Sequence, residues 1–148
     1  MPASFECVTR TTMSRAELFH LSLSIDAHTE SMGHSKETAV AGVTSGSIGL
    51  GEEVTWRAWH FGVPLRMTSR ITYLETPSCF VDEQVNGPFR YFRHVHDFRE
   101  DAAGTTMTER IEFAAPFGPL GRLVEKMVLT RYLKKLIETR NEFLVSGA

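Results

Sequence analysis

The chain has 148 residues, of which 42% are hydrophobic and 23% are charged, and its formal net charge is −2 at pH 7. This composition is typical of one soluble globular domain over residues 1–148, and it excludes a strong electrostatic attraction to nucleic acid or to an anionic membrane. The cysteines Cys7 and Cys79 lack metal-type spacing, and the N-terminus lacks a signal-peptide pattern, so we expect a cytoplasmic protein with free thiols. No apolar stretch is long enough for a membrane span.

The chain begins with a predicted strand over residues 4–12, where side chains alternate and β-formers are frequent. Ser14 and Glu17 then have the spacing of a capping box, which predicts a helix from Ser14 to about residue 22. Asp26 is a second plausible N-cap, and it predicts a short helix that runs to Met32 and stops at Gly33.

Strand signals dominate the middle of the chain. A strand at Thr38–Thr44 is followed by a glycine-rich turn. Turn residues, including Pro64, bound five further predicted strands, at residues 54–61, 67–75, 79–85, 89–99 and 105–114. The short gaps between them favour antiparallel neighbours.

A helix over about residues 120–144 follows the Pro/Gly-rich segment 116–121. Its apolar residues form two faces, which are Leu120, Leu123, Val124 and Met127 on one and Leu129, Tyr132, Leu133, Leu136 and Phe143 on the other. The element order predicts an α+β fold. A curved antiparallel sheet of about seven strands would pack on the C-terminal helix, with two short helices after the first strand.

The segment Phe89–Arg99 carries the clearest functional signal. Successive side chains of a strand point to opposite faces, and the more apolar set here is Phe92, His94, His96 and Phe98. Inward imidazoles are costly without partners, so these two histidines suggest a pocket rather than a dry core.

The same alternation assigns inward faces on neighbouring strands, although residues 79–85 leave the choice open between Phe80, Asp82, Gln84 and Val81, Glu83, Val85. Binding sites are mostly apolar with a few convergent polar groups, and the predicted interior has that character. The candidate ligand-binding residues are Trp56, His60, Ser69, Ile71, Tyr73, Phe92, His94, His96, Phe98, Met107, Glu109, Ile111 and Met127.

Structural explanations compete with a binding role for the histidines. His60 could be an ordinary strand-end residue, and His94 and His96 could be core residues whose carboxylate partner is Glu109. His-x-His with a third histidine and a carboxylate also fits zinc or iron, but no second local pair supports it, so we predict no metal and no cofactor. Neither a nucleophile elbow nor a phosphate-binding loop occurs in the sequence.

The element order and several strings resemble the START-like, helix-grip superfamily often called SRPBCC, over nearly the whole chain. The strings lie at residues 54–62, 67–72, 80–89, 94–98 and 116–121. The resemblance implies a curved sheet gripping the last helix, with a hydrophobic cavity between them. Members bind lipids, sterols, polyketides and other apolar molecules, and some are enzymes, but no enzyme motif of a subfamily can be carried over to this chain.

The leading functional hypothesis is binding or carriage of a small apolar or amphipathic molecule, with His60, His94, His96 and Glu109 orienting a polar end. The alternative is a cyclase, dehydratase or isomerase that uses the histidines for proton transfer. A third hypothesis is an interaction module that forms a homodimer through Leu120–Met127 or the Leu129–Phe143 stripe.

Overall fold

The computed structural model describes residues 3–32, 37–115 and 128–146. Within these ranges the chain forms seven strands and three helices. The strands are β1 (Ala3–Thr11), β2 (Thr38–Gly42), β3 (Glu53–His60), β4 (Val63–Glu75), β5 (Cys79–Asn86), β6 (Tyr91–Asp101) and β7 (Gly104–Ala114). The helices are α1 (Arg15–Ser22), α2 (Ile25–Ser31) and α3 (Thr130–Ser146).

All seven strands belong to one antiparallel sheet in the order β1-β7-β6-β5-β4-β3-β2. Consecutive strands are neighbours from β2 to β7, as the short gaps in the sequence predict, and β1 pairs with the last strand. The predicted α+β fold is therefore confirmed, including the two short helices after the first strand and the terminal helix. Pro64 lies inside β4 rather than bounding it, because β4 extends past the end of β5 to pair with β3.

The two short helices begin at serine caps. The Ser14 hydroxyl accepts the Glu17 N–H at 3.2 Å, so the predicted start of α1 is confirmed. The prediction that Asp26 caps α2 is wrong, because Ser24 performs that role by accepting the Ala27 N–H at 3.1 Å. Asp26 lies in the first turn instead, and its carboxylate accepts the Gly46 N–H at 3.0 Å.

Helix α1 closes one end of the concave face of the sheet. Phe19 is fully buried and packs edge-on against Phe80 and Phe98, with ring centroids 5.6 and 5.3 Å away. Such aromatic pairs add to the stabilisation from apolar burial. This end of the sheet is therefore a packed core.

Helix α3 lies against the sheet through the buried residues Ile137, Arg140, Asn141 and Leu144. It runs to Ser146, slightly beyond the predicted end, and the predicted helical residues 120–127, with the candidate Met127, lie outside the described residues. No helix in the described part of the chain is long and apolar enough to cross a membrane.

A buried carboxylate joins α3 to the sheet. Glu109 of β7 has no exposed surface, and it accepts hydrogen bonds from Arg140 and Asn141 of α3. Burial alone would raise the pKa of Glu109, but the Arg140 guanidinium and the two neighbouring imidazoles hold it well below its usual range. Glu109 is therefore charged at neutral pH and needs its cation.

Replacing Arg140 with Met should lower the free energy of unfolding by about 3–5 kcal/mol, because the Glu109 carboxylate would stay buried without a counter-charge. Urea unfolding followed by circular dichroism measures the change. The double variant R140M/E109Q should recover part of the loss, since a neutral amide needs no cation. R131M, which removes an exposed arginine of the same helix, is the control. A loss in R140M no larger than that in R131M would contradict the assignment.

The two cysteines differ in burial, and this makes their reactivities a test of the fold. Cys7 of β1 is 3% exposed, and burial raises the pKa of its thiol to about 11. The thiolate is the reactive form, so at pH 8 a disulfide reagent should modify the half-buried Cys79 first and Cys7 only after urea is added. Labelling of the single variants C7S and C79S assigns the two phases. Fast labelling of native C79S would show that Cys7 is not buried in the second apolar cluster against the sheet and α3.

Candidate functional site

A cavity of about 180 Å³ lies between the sheet, α2 and α3. Its lining is mainly apolar and includes Val54, Trp56, Ile71, Phe80, Phe92 and Ile137. Polar side chains meet at one wall, where Asp82, His94, His96 and Arg140 reach the cavity. His28 of α2 also lines the cavity, hydrogen-bonded to Glu37 at 2.6 Å and packed on Trp56.

Six of the candidate residues line this cavity: Trp56, Ser69, Ile71, Phe92, His94 and His96. They come from three strands, β3, β4 and β6, and the alternation of side chains brings them to the same face. A ligand-binding role for them stays a prediction, which is taken up below.

Three candidates are buried in the packed core and do not line the cavity. Phe98 and Met107 lie beneath α1, where Phe19 fills the space above them. Ile111 packs with Phe113 and Ile137 in a second apolar cluster. Alternation predicts the face of a residue correctly here, but it does not predict which part of that face a helix covers.

Tyr73 does not point inward, contrary to prediction, and is 47% exposed. The pairing of β4 with β5 shifts between Ile71 and Tyr73, so the strand holds one extra residue at a bulge. An extra residue reverses the alternation beyond it. Leu74 consequently takes the inward position and packs against the core.

His60 lies on the predicted inward face of β3 and is half-buried, but it does not join the other histidines. Its ring nitrogen Nδ1 is hydrogen-bonded to the Tyr132 hydroxyl of α3. The position of His60 therefore fits the interpretation that it is an ordinary strand-end residue with a local hydrogen-bond partner.

His94 and His96 stack on one another, with ring centroids 3.9 Å apart and an angle of 18° between the planes. His94 Nε2 lies 2.6 Å from Glu109 Oε2, so the predicted carboxylate partner is confirmed. His96 Nε2 lies 2.9 Å from Asp82 Oδ2. Asp82 faces His94 in the register of β5 and β6, which settles the open choice for residues 79–85 in favour of Phe80 and Asp82 inward.

Burial sets the charge of this polar wall. Burial, helped by the neighbouring His94, lowers the pKa of His96 to about 4 against the opposing effect of the Asp82 and Glu109 carboxylates. Burial would raise the pKa of Asp82, but the hydrogen bond from His96 and the nearby imidazoles outweigh that effect and lower it. His96 is therefore neutral at pH 7, and its Nε2–H donates to the ionised Asp82.

Two charged residues of the polar wall, Asp82 and Arg140, are missing from the candidate residues, as are apolar lining residues such as Phe80. The sequence leaves Asp82 open because a short strand with polar residues of both parities has no preferred face. Arg140 follows Leu133, Leu136 and Ile137 at helical spacing, so it lies on the face that they bury. A lone cation in such a stripe is the signal that could have identified Arg140 as the partner of the candidate Glu109.

No protein-family model matches the chain. No curated protein matches its sequence either.

Solved structures are similar to this one over nearly its whole length. TTHA0849 from Thermus thermophilus has a TM-score of 0.76 at 13% identity and covers 99% of both chains. The aromatase/cyclase Zhui from Streptomyces sp. R1128 has a TM-score of 0.69 at 12% identity, over 96% of this chain and 93% of that one. Ara h 8.0201 has a TM-score of 0.67 at 14% identity, over 99% of both chains. Together with the sheet order and the gripped helix, these likenesses show that the chain has the helix-grip fold.

Proposed function

We propose that this protein binds and carries a small, largely apolar molecule in the cavity between the sheet and α3. The observation that carries the proposal is the lining itself, which is apolar except at the wall formed by Asp82, His94, His96 and Arg140 and at a few separate polar residues such as His28. Apolar ligand surface buried there contributes about 25 cal/mol per Å² to binding. The fold is shared with an aromatase/cyclase, which supports a cavity that admits apolar ring compounds.

The volume of the cavity limits the size of the molecule. The described residues bound about 180 Å³. An apolar cavity of about 150 Å³ in another protein holds benzene, so this volume suits one ring or a short chain better than a multi-ring compound.

The polar wall gives the bound molecule an orientation. Asp82 is an ionised acceptor whose side chain is 21% exposed, so a hydroxyl or amine on the ligand can reach it. One such hydrogen bond contributes about 1 kcal/mol, or a preference of about fivefold over the same ring without the group.

Ser69→Phe should weaken binding of toluene and p-cresol by at least about tenfold, because the added ring would occupy the cavity that the small Ser69 side chain leaves open. Calorimetry and ligand-observed NMR measure both affinities. V85F is the matched control, since Val85 is exposed and does not line the cavity, and it should leave both affinities unchanged. A folded S69F protein that keeps wild-type affinities would contradict binding in this cavity.

Replacing both His94 and His96 with Leu should keep toluene affinity within about threefold of wild type, because the cavity stays apolar and similar in volume. The preference for p-cresol over toluene should shrink, because the imidazole that orients Asp82 is gone. H20L, which changes an exposed histidine of α1, is the control and should keep the preference. A folded double variant that loses toluene binding, or that keeps the full preference, would count against this polar end.

A further inference from the structure

We propose that Asp82, His94 and His96 form a binding site for a divalent transition-metal ion, zinc or iron(II), and that Glu109 holds both imidazoles from behind. The site uses the polar wall of the cavity. It does not rest on the proposed carriage of an apolar molecule, because metal binding needs no second ligand.

The ligand atoms are already close together. One donor atom from each of Asp82, His94 and His96 lies within 4.8 Å of the other two. Bonds of about 2.0–2.2 Å to a tetrahedral zinc place adjacent ligand atoms about 3.3–3.6 Å apart. His96 Nε2 and Asp82 Oδ2 are hydrogen-bonded at 2.9 Å, so they would separate by only about 0.5 Å to admit the ion between them.

Strand pairing supplies this arrangement. His94 and His96 lie two residues apart on β6 and point to the same face, and Asp82 is the direct cross-strand neighbour of His94 on β5. Three donors are thus fixed on two rigid strands, which suits a preorganised site better than a loop does.

Glu109 lies where a carboxylate can accept hydrogen bonds from histidines that bind a metal. Its Oε2 lies 2.6 Å from His94 Nε2 and 3.4 Å from His96 Nδ1. An ionised carboxylate only accepts hydrogen bonds, so His94 Nε2 carries the proton and His94 Nδ1 keeps its lone pair for a metal. With a metal on His96 Nε2, the proton of that ring would lie on Nδ1 and face Glu109 in the same way. Histidine ligands are commonly oriented in this way. Arg140 and Asn141 hold Glu109 in position.

The bonding of His96 is independent support for a bound ion. The residue is 2% exposed, and its Nδ1 has no hydrogen-bond partner among the described residues. A neutral imidazole has one N–H, yet this ring lies between two carboxylates. If Nε2–H donates to Asp82, the Nδ1 lone pair faces Glu109. A cation between His96 Nε2 and Asp82 removes the conflict, because the proton then lies on Nδ1 and points to Glu109.

Charge and access also favour a cation. Two carboxylates, Asp82 and Glu109, lie at this wall with the single guanidinium of Arg140. Two imidazoles and one carboxylate suit zinc or iron(II) rather than calcium or magnesium. The cavity in front of the three residues leaves coordination positions open for water or a bound molecule.

Calorimetry on protein without a histidine tag, after dialysis against EDTA, tests the proposal with Zn²⁺. Co²⁺ gives a visible absorption band that reports coordination. We expect one Zn²⁺ per chain in the wild type. D82N and H96Q should each weaken binding by more than about 100-fold, because changes to outer-shell partners alone cost about 10–100-fold. H28Q is the matched control, since His28 lines the same cavity outside the cluster and should leave the affinity unchanged.

Equal Zn²⁺ affinity in wild type, D82N and H96Q would overturn the proposal, as would the absence of binding in the wild type. NMR of histidine ring nitrogens in wild-type protein decides the matter if a variant fails to fold. Zn²⁺ should shift the ring signals of His94 and His96 and leave those of His20 and His28 in place, and the reverse pattern would refute the site. Toluene affinity measured in EDTA tests carriage separately, so the two proposals fail independently.

Discussion

The Glu109 carboxylate is the group on which the rest of this structure depends. Moving a charge from water into a protein interior costs several kcal/mol, and that cost is offset only when partners surround the ion. Here the partners come from neighbouring elements: β7 carries Glu109, β6 supplies His94, and α3 supplies Arg140 and Asn141. One buried charge thus fixes the sheet, the terminal helix and a histidine relative to each other.

This constraint also fixes the rotation of α3. Successive helical residues are about 100° apart, so a shift of one residue would carry Arg140 away from Glu109 and leave two buried charges unpaired. Since Arg140 faces the sheet, Ile137 and Leu133 lie about one and two turns before it on the same side of the helix and line the cavity. Leu133 and Leu136, which belong to the stripe that the sequence also suggests for dimerisation, line the cavity.

Three aromatic contacts explain why the cavity occupies only part of the concave face. Phe19 of α1 packs on Phe80 and Phe98, so the α1 end of the face is filled. Phe80 then stacks on His96 at a centroid distance of 4.0 Å, where the filled core meets the polar wall. Phe80 is therefore the border between packed core and open space.

The sequence predicts features that depend on local periodicity. Alternation along β6 correctly places Phe92, His94, His96 and Phe98 inward, because β6 pairs with β7 without interruption. Tyr73 fails because a bulge depends on how two strands pair, which a single strand does not encode. Likewise, the meeting of Arg140 with Glu109 depends on how the helix docks, although each residue stands out alone as a charge in an apolar pattern.

The histidine pair separates into two physically different residues once these contacts are known. His94 has its buried partner in Glu109, so its imidazole is accounted for by the constraint that holds the fold together. His96 is bonded to Asp82 and still leaves Nδ1 unpartnered among the described residues, and an unmade buried hydrogen bond costs about 1–3 kcal/mol. Natural sequences violate bonding rules mainly where function requires it. The unsatisfied nitrogen of His96 therefore lowers the stability of the fold. This makes His96 and its partner Asp82, rather than the stacked pair as a whole, the best candidates for a functional role.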